Sequence, residues 1–264
     1  MPRSLRAVAV SVFSLALVGS GAVLAGAQAA PAGSLTLTAD GGVGTLVSSV
    51  SQLAVGGDTS VDVGVVDLDG GGVRTVVGPG LALPLALQFP AYGDGSSYPR
   101  AVVGVTPTSG DALSPGSSDF SFGAVFRLDA TSSGDSVDNG DNLFQRGLFY
   151  EDSLYKLQLD HGRPACMVRG SAGRVKARLD STITPDRWYR ATCSRVGNRV
   201  SLAVTPYAGG ETDRSDSSGE IGSLRFPASR PASIGGKLDA SGGMIQRASD
   251  QFNGAVAQVW IERR

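Results

Sequence analysis

The plainest alternation in the chain lies at its centre. Phe120, Phe122, Ala124, Phe126 and Leu128 occupy every second position, with Ser121, Gly123, Val125 and Arg127 between them. A period of two puts the first set on one face of a β-strand and the second on the other. Tyr155, Leu157 and Leu159 repeat the pattern against Lys156, Gln158 and Asp160, until His161-Gly162-Arg163-Pro164 breaks it as a turn. Residues 165–169 are expected to pair back on that strand. Residues 188–195 and 199–205 flank Gly197-Asn198, two residue types that tolerate positive φ and so close a hairpin.

Shorter runs extend the pattern to both sides. Strands are expected at 34–38, 61–66, 73–77, 85–89 and 101–105, with 67–72 a loop or hairpin tip and 92–98 a polar loop. Beyond the centre, 175–179 reads as a strand, 208–222 as a polar loop, 233–235 as a short strand and 254–262 as the last one. No extended helical period appears. Trp188 precedes Cys193 by five positions, so a regular strand points them to opposite faces. Trp188, Arg190 and Thr192 then share one face, and Tyr189, Ala191, Cys193 and Arg195 the other. Trp188 and Trp260 are expected in the core, where large rings contribute most. No Pro/Ser linker and no internal repeat divides the chain, and a sandwich pairs strands distant in sequence. One all-β domain over 30–264 is therefore expected rather than two, with 30–80 its least defined part.

The first segment changes the setting. Arg3 and Arg6 precede an apolar run from Ala7 to Leu24, followed by the small residues Ala25-Gly26-Ala27-Gln28-Ala29-Ala30. That order matches a secretory signal peptide, expected over 1–29 with cleavage after Ala29. A membrane anchor is the alternative; the Gly19-Ser20-Gly21 break and the cleavage signal weigh against it. No Arg-Arg pair marks twin-arginine export, no Cys marks lipid attachment, and no later apolar stretch is long enough to span a bilayer. A secreted protein, without a membrane anchor after cleavage, is expected. In an oxidising compartment the two cysteines, Cys166 and Cys193, are expected to form a disulfide, with two buried free thiols as the alternative. The bridge would close about 27 residues and contribute roughly 3 kcal/mol.

Charge is close to balanced overall but uneven along the chain. Residues 30–142 hold 12 acidic and 3 basic side chains, and residues 143–199 hold 5 acidic and 11 basic. The two segments either neutralise each other across neighbouring strands or leave a basic surface for an anionic partner.

Four stretches resemble laminin-G-like jelly rolls of the concanavalin A-like superfamily. Asp119-Phe120-Ser121-Phe122-Gly123-Ala124-Val125-Phe126 resembles their "FTVSAWV" strand. Pro185-Asp186-Arg187-Trp188-Tyr189 and the residues to Cys193 resemble "D-G-x-W-H-x-V", with Tyr189 where His is usual. Ala232-Ser233-Ile234-Gly235-Gly236 resembles "L-x-I-G", and Phe252-Asn253-Gly254 through Ile261 resembles the closing "F-x-G-x-I-D-D-V-R-I-Y" strand. The segment from Cys166 to Cys193 also looks like secreted actinobacterial members, whose cysteines staple nearby strands. The resemblance implies a two-sheet antiparallel jelly-roll sandwich that binds a ligand.

The same superfamily includes laminarinase-type hydrolases, whose Glu-x-Asp-x-x-Glu strand sets two carboxylates on one face. Here the glutamates are Glu151, Glu211, Glu220 and Glu262, and none starts that pattern. His161, the single histidine, lies in a turn, and no G-x-S-x-G elbow accompanies it. One histidine and two cysteines exclude a Cys/His zinc site, and no Walker loop or dinucleotide fingerprint is present. An enzyme and a nucleic-acid partner are not expected. Calcium is the one ion worth weighing. Residues 135–142 gather Asp135, Asp138, Asn139, Asp141 and Asn142, hard oxygen donors in one loop, though without the spacing or terminal Glu of an EF-hand. The resemblance implies a calcium site at the sandwich rim, which makes Asp138 and Asp141 candidates, with Asp250 a third. A solvated Asp/Gly turn is the plainer reading of that loop.

The expected function is glycan binding, on extracellular or cell-wall carbohydrate. Saccharides stack on exposed aromatic rings, and Tyr92, Tyr98, Phe149, Tyr150 and Tyr207 lie in loops or at strand ends. An extracellular protein-interaction domain is the alternative, and a glycoside hydrolase of the same fold the second. The sequence leaves the oligomeric state open.

Overall fold

Strands that are remote in sequence become neighbours in two stacked sheets. The computed structural model describes residues 33–93, 97–109, 111, 113–131 and 140–264. The segment 1–29 expected to be a signal peptide, Asp135 and Asp138 lie outside the described residues. The first strands are β1 (Ser34–Ala39), β2 (Leu53–Gly57), β3 (Ser60–Leu68), β4 (Arg74–Gly80), β5 (Leu83–Gln88) and β6 (Arg100–Ser109). The central ones are β7 (Phe120–Leu128), β8 (Asp141–Arg146), β9 (Leu154–Asp160), β10 (Arg163–Gly170) and β11 (Gly173–Arg178). The last are β12 (Trp188–Val196), β13 (Arg199–Pro206), β14 (Asp213–Ser218), β15 (Ala232–Ile234) and β16 (Gly254–Arg263).

All pairings between these strands are antiparallel. The larger sheet runs β14-β13-β12-β7-β16-β1-β2, with β5 beside the start of β16 and β4 beside β5. The smaller sheet runs β11-β10-β9-β8-β15-β6-β3. This is the two-sheet jelly-roll sandwich that the laminin-G-like resemblance implies. Among the described residues no helix is long and apolar enough to cross a membrane.

The core lies between the sheets, where the period-two positions meet. Phe120, Phe122 and Phe126 of β7 are buried, as are Phe144 of β8 and Tyr155, Leu157 and Leu159 of β9. Phe122 and Tyr155 bring their ring centroids to 5.1 Å across the gap, and Phe144 reaches Tyr155 at 5.8 Å. Buried rings of this size contribute about 1.5–3 kcal/mol each, and tilted contacts between them add to that. The main core draws on residues from Leu35 to Ile261. Cys166 of β10 and Cys193 of β12 join the smaller sheet to the larger, with Cα atoms 5.9 Å apart.

Several sequence expectations change. Residues 67–72 are not a hairpin tip: β3 belongs to the smaller sheet and β4 to the larger, so the turn carries the chain across the sandwich. Asp69 (φ 56°) and Gly70 (φ 75°) make it. The polar stretch 208–222 is not all loop, because β14 forms an exposed edge strand on β13. Its residues carry no apolar alternation; the backbone ladder places them, with Asp216 accepting from Arg199 and Ser201. β2 and β8 were not marked by hydrophobic period either. The hairpin at Gly197-Asn198 forms, but only Gly197 takes positive φ.

The tryptophans are not in the intersheet core. Gln258 of β16 opposes Val125 of β7 and Trp260 opposes Gly123, so Trp260 points to the outer face of the larger sheet. A Cβ on Gly123 would collide with its indole, so the glycine makes room for the ring. There Trp260 packs with Leu83, Ala86 and Val125 in a second, smaller cluster, flanked by half-buried Trp188 and Tyr207.

Candidate functional site

Alternation also decides what the smaller sheet presents to solvent. With Tyr155, Leu157, Cys166 and Val168 turned inward, Leu154, Lys156 and Met167 point outward, and their cross-strand register makes them neighbours. Gln145 of β8 stands opposite Lys156 and shares that face. These side chains floor a concavity of about 200 Å³. Its walls are two loops: Leu148, Phe149 and Tyr150 between β8 and β9, and Lys237, Ile245 and Ala248 between β15 and β16.

The first wall is a rigid turn. Gly147 takes φ 84°, and a Cβ there would strike the Ser153 carbonyl. Gln145 Nε2 donates to Gly147 O at 2.8 Å. Glu151 N donates to Leu148 O at 3.0 Å, and Leu148 N donates to Glu151 Oε2 at 3.1 Å. Glu151 Oε1 also meets Arg230 Nη2 at 3.1 Å, and Arg169 Nη1 donates to Phe149 O at 2.6 Å. Phe149 and Tyr150 therefore sit at the apex of a closed turn, 58% and 75% exposed. Arg174 places its guanidinium 4.4 Å from the Phe149 ring centroid, a cation–π contact. Tyr150 also borders a second concavity of about 350 Å³ with Arg225, Phe226 and Arg230, so its ring is the ridge between two hollows.

The second wall is pinned across the outer face. Lys237 N donates to Ser249 O at 2.8 Å. Gln251 Nε2 donates to Gly235 O at 2.9 Å and to Phe252 O at 2.8 Å, while its Oε1 accepts from Ala101 N at 2.8 Å. Arg100, almost fully buried, donates through Nη1 to Gln246 O. Behind the two lysines that line the hollow, Asp250 Oδ2 lies 2.5 Å from Lys237 Nζ and 3.7 Å from Lys156 Nζ. Burial pulls the Lys156 ammonium down to about 8, partly countered by Asp250 and deepened by Lys237 and Lys176. The trio carries one surplus positive charge when both lysines are protonated.

The sequence candidates do not converge here. Tyr150 is at the site. Tyr98 is not an exposed stacking ring: it is 5% exposed, beneath the Arg100 guanidinium at 5.1 Å and beside Tyr92 at 6.4 Å. Tyr207 belongs to the cluster on the other sheet's outer face. Asp250 is buried, and its Oδ2 faces two ammonium groups. Asp141 is fully buried at the start of β8, opposite Leu159, not on a solvated rim. Among the described residues no group of three His, Cys, Asp or Glu is placed to hold a metal ion. His161 is an exposed turn residue with φ 53°, its Nδ1 3.0 Å from Asp160 Oδ1. Lys237, Lys156 and Met167 were missed as site residues. For Lys156 and Met167 the signal was present in the outward half of the β9 and β10 alternation.

No family model matches the chain, and no curated protein matches it in sequence. Solved structures do resemble it. The binding domain of Paraclostridial Mosquitocidal Protein 1 aligns with 84% of this chain at 16% identity and a TM-score of 0.50. The chain spans about half of that domain's length, 48%. Domain 4 of AbnA, a GH43 extracellular arabinanase from Geobacillus stearothermophilus solved with arabinotriose, aligns at 11% identity over 76% of this chain and 82% of that one, with a TM-score of 0.49. The LG1-3 region of the laminin alpha2 chain aligns at 10% identity over 88% and 64%, with a TM-score of 0.41. At these identities the likeness is one of fold.

Proposed function

We propose that this chain is a secreted, non-catalytic domain that binds extracellular carbohydrate in the concavity beneath Phe149 and Tyr150. The observation that carries the reading is the apex of the turn from Leu148 to Glu151. Two large aromatic side chains are held in water by a closed hydrogen-bond network, over a floor of Leu154 and Met167. An exposed apolar patch rimmed by polar groups marks a ligand-binding groove more than single exposed side chains do. A preorganised ring loses little entropy when a saccharide stacks on it. Polar groups from Lys156, Lys237 and Gln145 border the same hollow, as orientation of a hydroxyl-rich ligand requires.

The non-catalytic part rests on the carboxylates. The side chains lining the concavity include no Asp or Glu, whereas hydrolysis of this kind needs two flanking the bond. Glu151, at the neighbouring hollow, is engaged by Arg230. The fold is shared with a domain whose name calls it a binding domain, which agrees with the reading.

The test is a saccharide array and titration calorimetry with the purified chain and its Tyr150→Ala variant. Binding that weakens about tenfold or more in the variant, with unchanged thermal unfolding, is the expected result. Equal affinity in both proteins, or no saccharide bound, would sink the reading. A protein partner is the second reading. It rests on the β4–β5 hairpin, where Val77 is 67% exposed and Leu81 fully so.

A further inference from the structure

The outward face of β9, β10 and β11 is cationic to an unusual degree. Its register places Lys156, Arg163, Arg169, Arg174, Lys176 and Arg178 on that face, and Asp160 is the one carboxylate among them. Asp160 is already shared between Lys176 at 3.4 Å and Arg178 at 3.9 Å. Along β11 the cations fall on alternate residues, roughly 7 Å apart. The row begins at the aromatic turn, where Arg174 touches Phe149 and Arg169 holds its carbonyl. Together the track and the concavity form one continuous surface.

Two plainer accounts fall short. The acidic N-terminal segment could neutralise the basic one across neighbouring strands. Yet β3, with outward Asp62, is at one edge of the smaller sheet and β11 at the other. Six strand spacings make that roughly 25–30 Å along the sheet, several times the Debye length of about 8 Å at physiological salt. Of the other acidic residues of that segment, Asp111 pairs with Arg146, a cation of the basic segment that lies off this face, and Asp129 pairs with Arg127. Cations also protect sheet edges from unwanted pairing. That explains β11, but not Arg169 one strand inward or the mostly buried Lys156 two strands inward.

We infer that the carbohydrate bound at the Tyr150 concavity is an anionic one, a uronate-bearing or sulfated oligosaccharide, whose acidic groups extend along the cations of β11 and β10. This rests on the saccharide-binding reading and narrows it. Planar guanidinium forks match carboxylate and sulfate oxygens, which makes Arg169, Arg174 and Arg178 suited to such groups. Aromatic stacking at Tyr150 and charge contacts along the strand then act on one extended ligand.

The test titrates the purified chain with oligogalacturonate against its methyl ester, and with a sulfated oligosaccharide against its desulfated form. The expected result is at least tenfold tighter binding of an acidic member than of its neutral counterpart, weakened by added salt. Lys176→Gln with Arg178→Gln should lower acidic affinity tenfold or more; both sites are at the surface, and matching thermal unfolding verifies the fold. Equal binding of acidic and neutral partners overturns the inference and leaves the saccharide reading standing. Inorganic polyphosphate binding as tightly as the acidic sugars overturns it too, by reducing the face to a general polyanion sink. If no saccharide on the array or in this set binds, both fail.

Discussion

Lys237 and Asp250 close the covering loop of the smaller sheet with an ion pair of 2.5 Å, and Lys156 rises from β9 to the same carboxylate oxygen at 3.7 Å. One carboxylate thus faces two lysines, and all three side chains are at least four-fifths buried. Removing a buried partner leaves uncompensated charge. Asp250→Asn should therefore lower stability by about 3 kcal/mol, with Lys156→Met in the same chain restoring part of the loss. Urea unfolding of the parent and the two variants checks this; an Asp250→Asn protein as stable as the parent would show the trio to be a solvated cluster.

The same lysine makes stability depend on alkaline pH. The Lys156 ammonium falls from 10.5 in the unfolded chain to about 8 when folded, chiefly through burial. Between those values the unfolded state binds more protons than the native one, so stability rises with pH across that window. Below about 8 the full burial penalty persists, of order a few kcal/mol. Lys156→Met should lack the rise, seen as parallel denaturation midpoints for the variant from pH 7.5 to 10 and diverging ones for the parent.

The bridge from Cys166 to Cys193 ties two strands of different sheets across 27 residues. Replacing both cysteines by alanine should cost roughly 3 kcal/mol, mainly by loosening the unfolded chain. Reduction without denaturant should leave the β circular dichroism intact while lowering the thermal midpoint. A midpoint insensitive to the double substitution would show that the sandwich core holds the sheets unaided.

Gly235 has a narrower task. It follows β15 with φ 83°, and a Cβ there would strike the Phe89 ring. Its carbonyl accepts from Phe252 N and from Gln251 Nε2, both at 2.9 Å, so it cannot simply turn away. Gly235→Ala should destabilise by at least about 2 kcal/mol through left-handed strain and overpacking. Gly197→Ala, in an open hairpin tip, should cost less; equal losses in thermal unfolding would contradict the packing argument.

How much of this was legible varies with the kind of signal. Residues 120–128, 155–159 and 188–195 declared their strands and faces because each buries one side, and a period of two then follows. β14 did not, since an edge strand with no fully buried side chain needs no apolar period. Trp188 and Trp260 were assigned to the core because large rings usually lie there. Their parity was correct for Trp188, but nothing local shows that the β4–β5 hairpin comes back to cover the outer face beside Trp260. Of the proposed site, Tyr150 was legible as a loop aromatic, while Tyr98 was indistinguishable from it until burial separated them.

By itself the sequence determined the strands with a buried face, turns where glycine bends the chain, the two cysteines available to bridge, and a basic segment from 143 to 199. These are local or compositional properties, fixed by side-chain period and backbone sterics. Only the tertiary structure decided which strands are neighbours. It set Asp62 and Lys176 at opposite edges of one sheet, gathered Lys156, Lys237 and Asp250 from three distant segments, and raised Phe149 and Tyr150 over the outer face. Sheet order is settled by packing two whole layers against each other, a balance over all strands at once that no short stretch of chain contains.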